Sequence, residues 1–125
     1  LKQEFLSKAK ENLKIAQISF EHECYNVSAT RAYFSAFQAA IAALVSRGAE
    51  RGKFDHKWVQ AEFSEKLIKR QKIYPAELKS YLMKMQLLRN KADYEYRHVS
   101  RNDAREQLQR AEKMLGFIGK DIEKC

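Results

Sequence analysis

Apolar residues recur at alternating intervals of three and four along most of this chain, and no segment competes with the two-residue period of a strand. Intervals of three and four keep a stripe on one side of an α-helix. Leu6, Ala9, Leu13, Ala16 and Phe20 make one stripe. Ala104, Leu108, Ala111, Leu115, Ile118 and Ile122 make another. The pattern predicts an all-α fold, an up-and-down bundle of about five helices joined by short loops. The scarcity of breakers agrees, with 4 glycines and 1 proline.

The punctuation places the helices. The first runs from about Lys2 to Glu23. Asn26 or Ser28 is positioned to cap the second, which reaches about Arg47 with Gly48 as its stop. Its small residues (Ala32, Ala36, Ala39, Ala40, Ala42, Ala43) let a neighbouring helix come close. Its apolar arc is wide, so it should be the central, most buried helix. That same width predicts a homodimer, because one small bundle would leave part of the arc uncovered. Asp55 is placed to cap a third helix from His56 to about Arg70, with Val59, Phe63 and Leu67 every four residues. Pro75 suits the first turn of a fourth helix that reaches about Tyr96. Ser100 with Asp103 resembles a capping box ahead of the fifth.

Length bounds the rest. The 125 residues make one domain, 1–125, able to bury a core without disulfides or metals. The chain opens on Leu1 rather than Met, which leaves room for residues ahead of it. No apolar run approaches the ~20 residues of a membrane span, and no secretory signal pattern opens the chain. Cys24 and Cys125 make neither a disulfide framework nor a zinc set. They read as free thiols in a reducing cytoplasm. There is no His-x-x-x-His, carboxylate–His set or Gly-rich phosphate loop, so no metal or cofactor is expected. The net charge of +8 admits a polyanionic partner. Its densest run, Lys66-Leu67-Ile68-Lys69-Arg70-Gln71-Lys72, reads equally as a solvated face and as an RNA groove.

One stripe is out of keeping with a plain core. Along the fourth helix, Leu78, Leu82 and Met85 are followed by Arg89, Asp93 and Tyr96, at spacings that share one face. An apolar stripe that turns into a cation, an anion and a phenol marks a candidate site. The plainer alternative is an intrahelical ion pair beside core-edge tyrosines. Arg31, Ser35 and Gln38 line the less apolar face of the second helix, either toward that stripe, toward a dimer seam or toward solvent. His56 is either a helix-start residue or a member of the same cleft. His22 and His98 read as surface residues.

Several of these segments resemble one family in order and separation. Arg31-Ala32-Tyr33-Phe34-Ser35-Ala36-Phe37-Gln38-Ala39-Ala40 resembles the second-helix signature of HEPN proteins (higher eukaryotes and prokaryotes nucleotide-binding). Asp55-His56-Lys57 resembles the opening of that family's next helix, and Arg89 to Tyr94 its Arg-x-x-Ala-Asp-Tyr block. The closing helix from Ala104 to Ile118 also fits. The resemblance implies a five-helix, usually homodimeric bundle, often encoded beside a minimal nucleotidyltransferase. Many members are ribonuclease toxins with an Arg, four to six residues, then a His. One toxin–antitoxin branch carries Arg-Asn-x-x-x-His-x-Tyr, and its partner transfers AMP to the Tyr.

This chain departs at one position: Arg89, Asn90 and Tyr96 match that motif, but Tyr94 stands where the branch has His. A phenol with a pKa near 10 shuttles protons poorly at neutral pH. The leading expectation is therefore a dimeric nucleotide- or RNA-binding partner of a nucleotidyltransferase, with weak or no nuclease activity. Arg89, Asn90, Asp93, Tyr94, Tyr96 and His56 would form the binding site, and Tyr96 or Tyr94 would accept AMP. The alternative is a metal-independent ribonuclease toxin in which Arg89 is catalytic and His56 or His98 moves protons. A helical scaffold without a ligand is the third reading.

Overall fold

The computed structural model describes residues 1–124 and is all-helical among them. Five α-helices follow in order: α1 Lys2–Glu21, α2 Tyr25–Ser46, α3 His56–Glu62, α4 Tyr81–Tyr94 and α5 Arg101–Lys124. α3 continues without a break into a π-helical segment, Phe63–Arg70, and a 3₁₀ turn, Ala76–Ser80, leads into α4.

α2 is the centre, as its alanine content demands. Ala32, Ala36, Ala39, Ala40, Ala42 and Ala43 are fully buried, and helices α1, α4, α5 and α3 surround it. The width of its apolar arc is thus accounted for within one chain, so that arc gives no reason for a second copy. Close approach to α1 is fixed by two buried hydroxyls. Ser28 Oγ donates to the Ala16 carbonyl at 2.8 Å and Ser35 Oγ to the Ala9 carbonyl at 2.7 Å. Gln38 Oε1 accepts from Asn12 Nδ2 at 2.7 Å, and Arg31 Nη1 donates to Asn12 Oδ1 at 3.3 Å. Ser35 and Gln38 therefore face α1, while Arg31 bonds α1 from an exposed position.

The helix ends divide into those with a local signal and those without. Asp55 Oδ1 accepts the Trp58 N–H at 2.9 Å, and Ser100 Oγ accepts the Asp103 N–H at 3.1 Å. Past α2, Gly48 takes φ +95°, Gly48 N–H bonds the Val45 carbonyl and Ala49 N–H the Leu44 carbonyl. That is the Schellman pattern the glycine foretells. α1 ends with the same bonds but carries Glu23 at φ 62°, so it stops at Glu21, short of the expected end. Neither Asn26 nor Ser28 caps α2, because the helix already starts at Tyr25. Pro75 precedes the 3₁₀ turn with ψ 147° rather than opening an α-helix.

α4 ends at Tyr94, and Glu95 is extended, so Tyr96 lies in the following loop rather than on the helix. Asn26 holds that loop to α2. Its Oδ1 accepts the Val99 N–H at 2.8 Å, while its Nδ2 lies 2.9 Å from His98 Nδ1. Gln107, fully buried on α5, donates from Nε2 to the Met85 carbonyl of α4 (2.9 Å) and the Ala29 carbonyl of α2 (3.2 Å). At the other end Arg47 and Tyr74 both bind Asp121, whose carboxyl those two partners hold below its usual range against the opposing effect of burial. Cys24 is exposed and carries a free thiol; Cys125 lies outside the described residues. Among the described residues no helix is long and apolar enough to cross a membrane.

Candidate functional site

α2, α3 and α4 bring three polar groups together at one edge of the core. The apolar stripe runs from Leu78 of the 3₁₀ turn through Leu82 and Met85 of α4, all buried, and reaches Arg89 one turn later. The core there is closed by aromatic rings rather than by aliphatic side chains. Arg89 lies over the ring of Phe34 at 5.1 Å and beside the ring of Tyr94 at 5.5 Å. Rings on both sides hold a guanidinium by charge–quadrupole attraction without satisfying its N–H donors.

Asp93, one turn on, holds the other side. Its Oδ2 lies 2.8 Å from Arg89 Nε, and its Oδ1 accepts from Thr30 Oγ1 at 2.6 Å. The Arg89–Asp93 contact is close but off the hydrogen-bonding line, so the buried Nε has no hydrogen-bond partner. A pair this weakly directed contributes little to stability. It keeps the cation in place with donor capacity to spare.

His56 is the third group. The Asp55 cap sets the start of α3 and thereby turns the His56 ring onto α2. There it lies 4.5 Å from the Phe37 ring and 5.5 Å from that of Tyr33. Tyr33 Oη and His56 Nδ1 are 2.5 Å apart. Burial lowers the His56 pKa, the Arg89 charge lowers it further, and Asp55 opposes both. The imidazole is therefore neutral at pH 7. Burial pushes the Tyr33 hydroxyl up to about 12, against the smaller effects of a Gln60 hydrogen bond and the Arg89 charge. Tyr33 so keeps its proton, and Gln60 extends the chain of polar contacts to Gln86 of α4 at 2.6 Å.

The structure thus gathers Arg89, Asp93, Tyr94 and His56 as the sequence suggested. Asn90 is half-buried on the adjoining face of α4. Tyr96 does not join the stripe. It is 87% exposed, and its hydroxyl accepts from Arg97 Nε at 3.1 Å. His98 pairs instead with Asn26 of α2. Tyr33, Thr30 and Gln60 are site members that periodicity did not reveal. Tyr33 shows in sequence only as one more aromatic of a buried helix. Arg31 and Asp93 also line a shallow groove with Asn26, Val27 and Ala92, which continues the site along α2 and α4.

The arrangement can do two things chemically. A guanidinium with free donors, backed by rings, can hold a phosphate oxygen in its planar fork. A neutral imidazole near it can accept or pass a proton at neutral pH. No curated protein matches the chain. The family model described as HEPN domain matches residues 3–122. With the match spanning nearly the whole bundle, including α2, His56 and the Arg89–Tyr94 block, the chain belongs to the HEPN domain family.

Proposed function

We propose that this domain binds the phosphate of a nucleotide or RNA at Arg89, as a homodimer that partners a minimal nucleotidyltransferase, with weak nuclease activity or none. One observation carries the reading. Arg89 is a mostly buried cation whose Nε has no hydrogen-bond partner, although Asp93 lies 2.8 Å away. Buried donors are almost always satisfied, and an orphan in a cationic group invites an anionic ligand. Asp93 and Thr30 orient the guanidinium, and Tyr94, 74% exposed, offers a ring at the rim.

A second copy has a surface to use. Met83, Leu87 and Tyr94 stand exposed along one line of α4, beside the site. Tyr96 and Tyr94 would be the acceptors of AMP. The phenol oxygen attacks the α-phosphorus of ATP, pyrophosphate leaves and the phenolic proton goes to solvent. On Tyr94, whose ring lies 5.5 Å from the Arg89 guanidinium, the adduct would set a phosphodiester charge near Arg89 and compete with its anion.

His56 favours a second reading, a metal-independent ribonuclease. Tyr94 takes the motif's histidine position, but the His56 imidazole lies close enough to Arg89 to feel its charge. Arg89 would stabilise the charge developing on phosphorus while His56 moves protons. Titration of a labelled oligouridylate against wild type, Arg89→Ala and His56→Ala separates the readings. Binding that drops about 10- to 100-fold in Arg89→Ala, the value of a charge-assisted hydrogen bond, supports the proposal. Unchanged binding overturns it. Cleavage by wild type that is lost in His56→Ala selects the second reading.

A further inference from the structure

The densest basic run in the sequence takes no part in the Arg89 site, yet the fold gives it a definite shape. Within Lys66–Lys72, Leu67 and Ile68 are buried and anchor the segment, while Lys69, Arg70 and Lys72 are exposed. The chain then turns through Tyr74 into the 3₁₀ turn that carries Lys79. Lys69, Lys72 and Lys79 line a single groove floored by Ile68, Tyr74 and Ala76.

Only one of the three groove lysines has a carboxylate partner among the described residues. Glu65 pairs with Lys69 at 2.8 Å, and Glu77, on the same 3₁₀ turn as Lys79, is taken by Lys113 at 2.8 Å. Lys79 is held below its ordinary range chiefly by the adjoining Lys69 ammonium. Lys72 occupies φ 53°, a left-handed backbone that glycine adopts without cost and a lysine does not. A fold with no use for these cations would do better with glycine at 72 and a neutral residue at 79.

The groove meets a second one at Lys79. This second groove is more apolar and is also lined by Lys57, Gln60, Ser64 and Met83. Gln60 belongs to the hydrogen-bonded chain of Tyr33 and Gln86. The two grooves together run beside α3 and the π-helical segment, with Lys57 at one end and Lys69 and Lys72 at the other. At ~1.5 Å per helical residue this path is about 20 Å long, room for several nucleotides.

We propose that the Lys69–Lys72–Lys79 groove binds the phosphodiester backbone of single-stranded RNA. The inference does not depend on the phosphate reading of Arg89. Its chemistry favours phosphate over the carboxylates of an acidic peptide. The lining cations are all lysines, point charges that suit scattered phosphate oxygens, whereas planar carboxylates are best met by an arginine fork. No ring is free to stack in the groove, because the Tyr74 ring is buried and stacked on Phe63 at 5.5 Å. Binding there reads backbone rather than base.

The test is fluorescence anisotropy with a 15-mer and a 3-mer oligouridylate over a salt series, on wild type and on Lys69→Ala/Lys72→Ala/Lys79→Ala. A control variant, Lys10→Ala/Lys14→Ala/Lys120→Ala, removes equal charge from exposed positions on α1 and α5. The expected result is a 15-mer affinity at least tenfold weaker in the groove variant only, with the 3-mer unchanged. The salt slope should fall by about 2, since each phosphate contact on a single strand contributes ~0.7. Equal losses in the control, or no loss in the groove variant, overturn the proposal. So does an oligoglutamate that displaces the 15-mer as well as unlabelled RNA of equal charge does. Lys72→Gly separates binding from folding: Tm should hold or rise while 15-mer affinity falls, and an unchanged affinity counts against the groove. Arg89→Ala should abolish 3-mer binding and leave the groove's share of the salt slope. The Arg89 reading and this one therefore fail independently.

Discussion

Tyr33 Oη and His56 Nδ1 stand 2.5 Å apart, and both groups feel the charge of Arg89. The contact joins α2 to the first residue of α3, so the start of a short helix is tied to the most buried helix of the bundle. It also commits His56 Nδ1 to the core and leaves Nε2 without a hydrogen-bond partner among the described residues.

The lowered His56 pKa has a definite consequence for stability. The unfolded chain takes up its proton near the ordinary 6.5, and the folded one only at lower pH. Between those points the unfolded state binds more protons, so stability falls as pH drops below 6.5. Urea midpoints should therefore be lower at about pH 5.5 than at about pH 7.5. Arg89→Gln, which removes one of the two depressing effects, should narrow the gap. A gap that is unchanged or wider in Arg89→Gln would count against Arg89 as a cause.

Leu87 is 65% exposed and lies one turn from Met83 on the outer face of α4. If a second copy packs on this face, Leu87→Glu should convert the dimer to a monomer with little loss of fold, since surface substitutions usually change stability by less than about 0.5 kcal/mol. Light scattering at tens of micromolar decides it. A wild-type monomer mass rejects the dimer, and a Leu87→Glu dimer moves the interface elsewhere.

Incubation with a cognate nucleotidyltransferase and ATP should add AMP to Tyr96 or Tyr94. Both hydroxyls are open to another enzyme, and Arg97 lies beside Tyr96, 5.4 Å from the ring centroid. Intact mass spectrometry reads the adduct. An adduct that survives Tyr94→Phe/Tyr96→Phe refutes the assignment.

Gln107 spans α2 and α4 from inside the core, and its Oε1 is buried without a partner. Gln107→Ala should cost about 2–4 kcal/mol through the cavity and the lost bonds. Gln107→Leu should cost less than about 1.5 kcal/mol, because the two carbonyls lie within helices and the orphan oxygen disappears. Chemical denaturation of both variants checks the order.

Much of this was legible in the sequence where the signal is local. Asp55, Gly48 and Ser100 act where they stand, and three-and-four spacing found the buried stripes. Glu23 escaped because it does a glycine's work with an ordinary side chain. Tyr96 was misplaced because helical spacing continues on paper past the point where Glu95 turns extended. Arg89, Asp93 and His56 were visible as candidates. Their assembly with Tyr33 depends on how α2 meets α3 and α4, which no spacing within one helix encodes. Ser28 reads in sequence as a cap and Ser35 as facing the α4 stripe, a dimer seam or solvent, and only the close approach of α1 explains why both are buried.

The π-helical segment also sets a rotation. Val59, Phe63 and Leu67 recur every four residues, slower than the 3.6 of an α-helix, and an α-helix would carry the later ones off the core. Hydrogen bonds that span five residues widen the turn and keep Phe63, Leu67 and Ile68 inward. The angular position of everything downstream, Lys69 and Lys72 included, is therefore counted in whole residues. Removing one residue between Phe63 and Leu67 would leave composition and charge almost intact, yet swing the lysines about a quarter turn away from Lys79. Chain length at this point should be far less free to drift than residue identity, as a deletion series set against point substitutions would reveal.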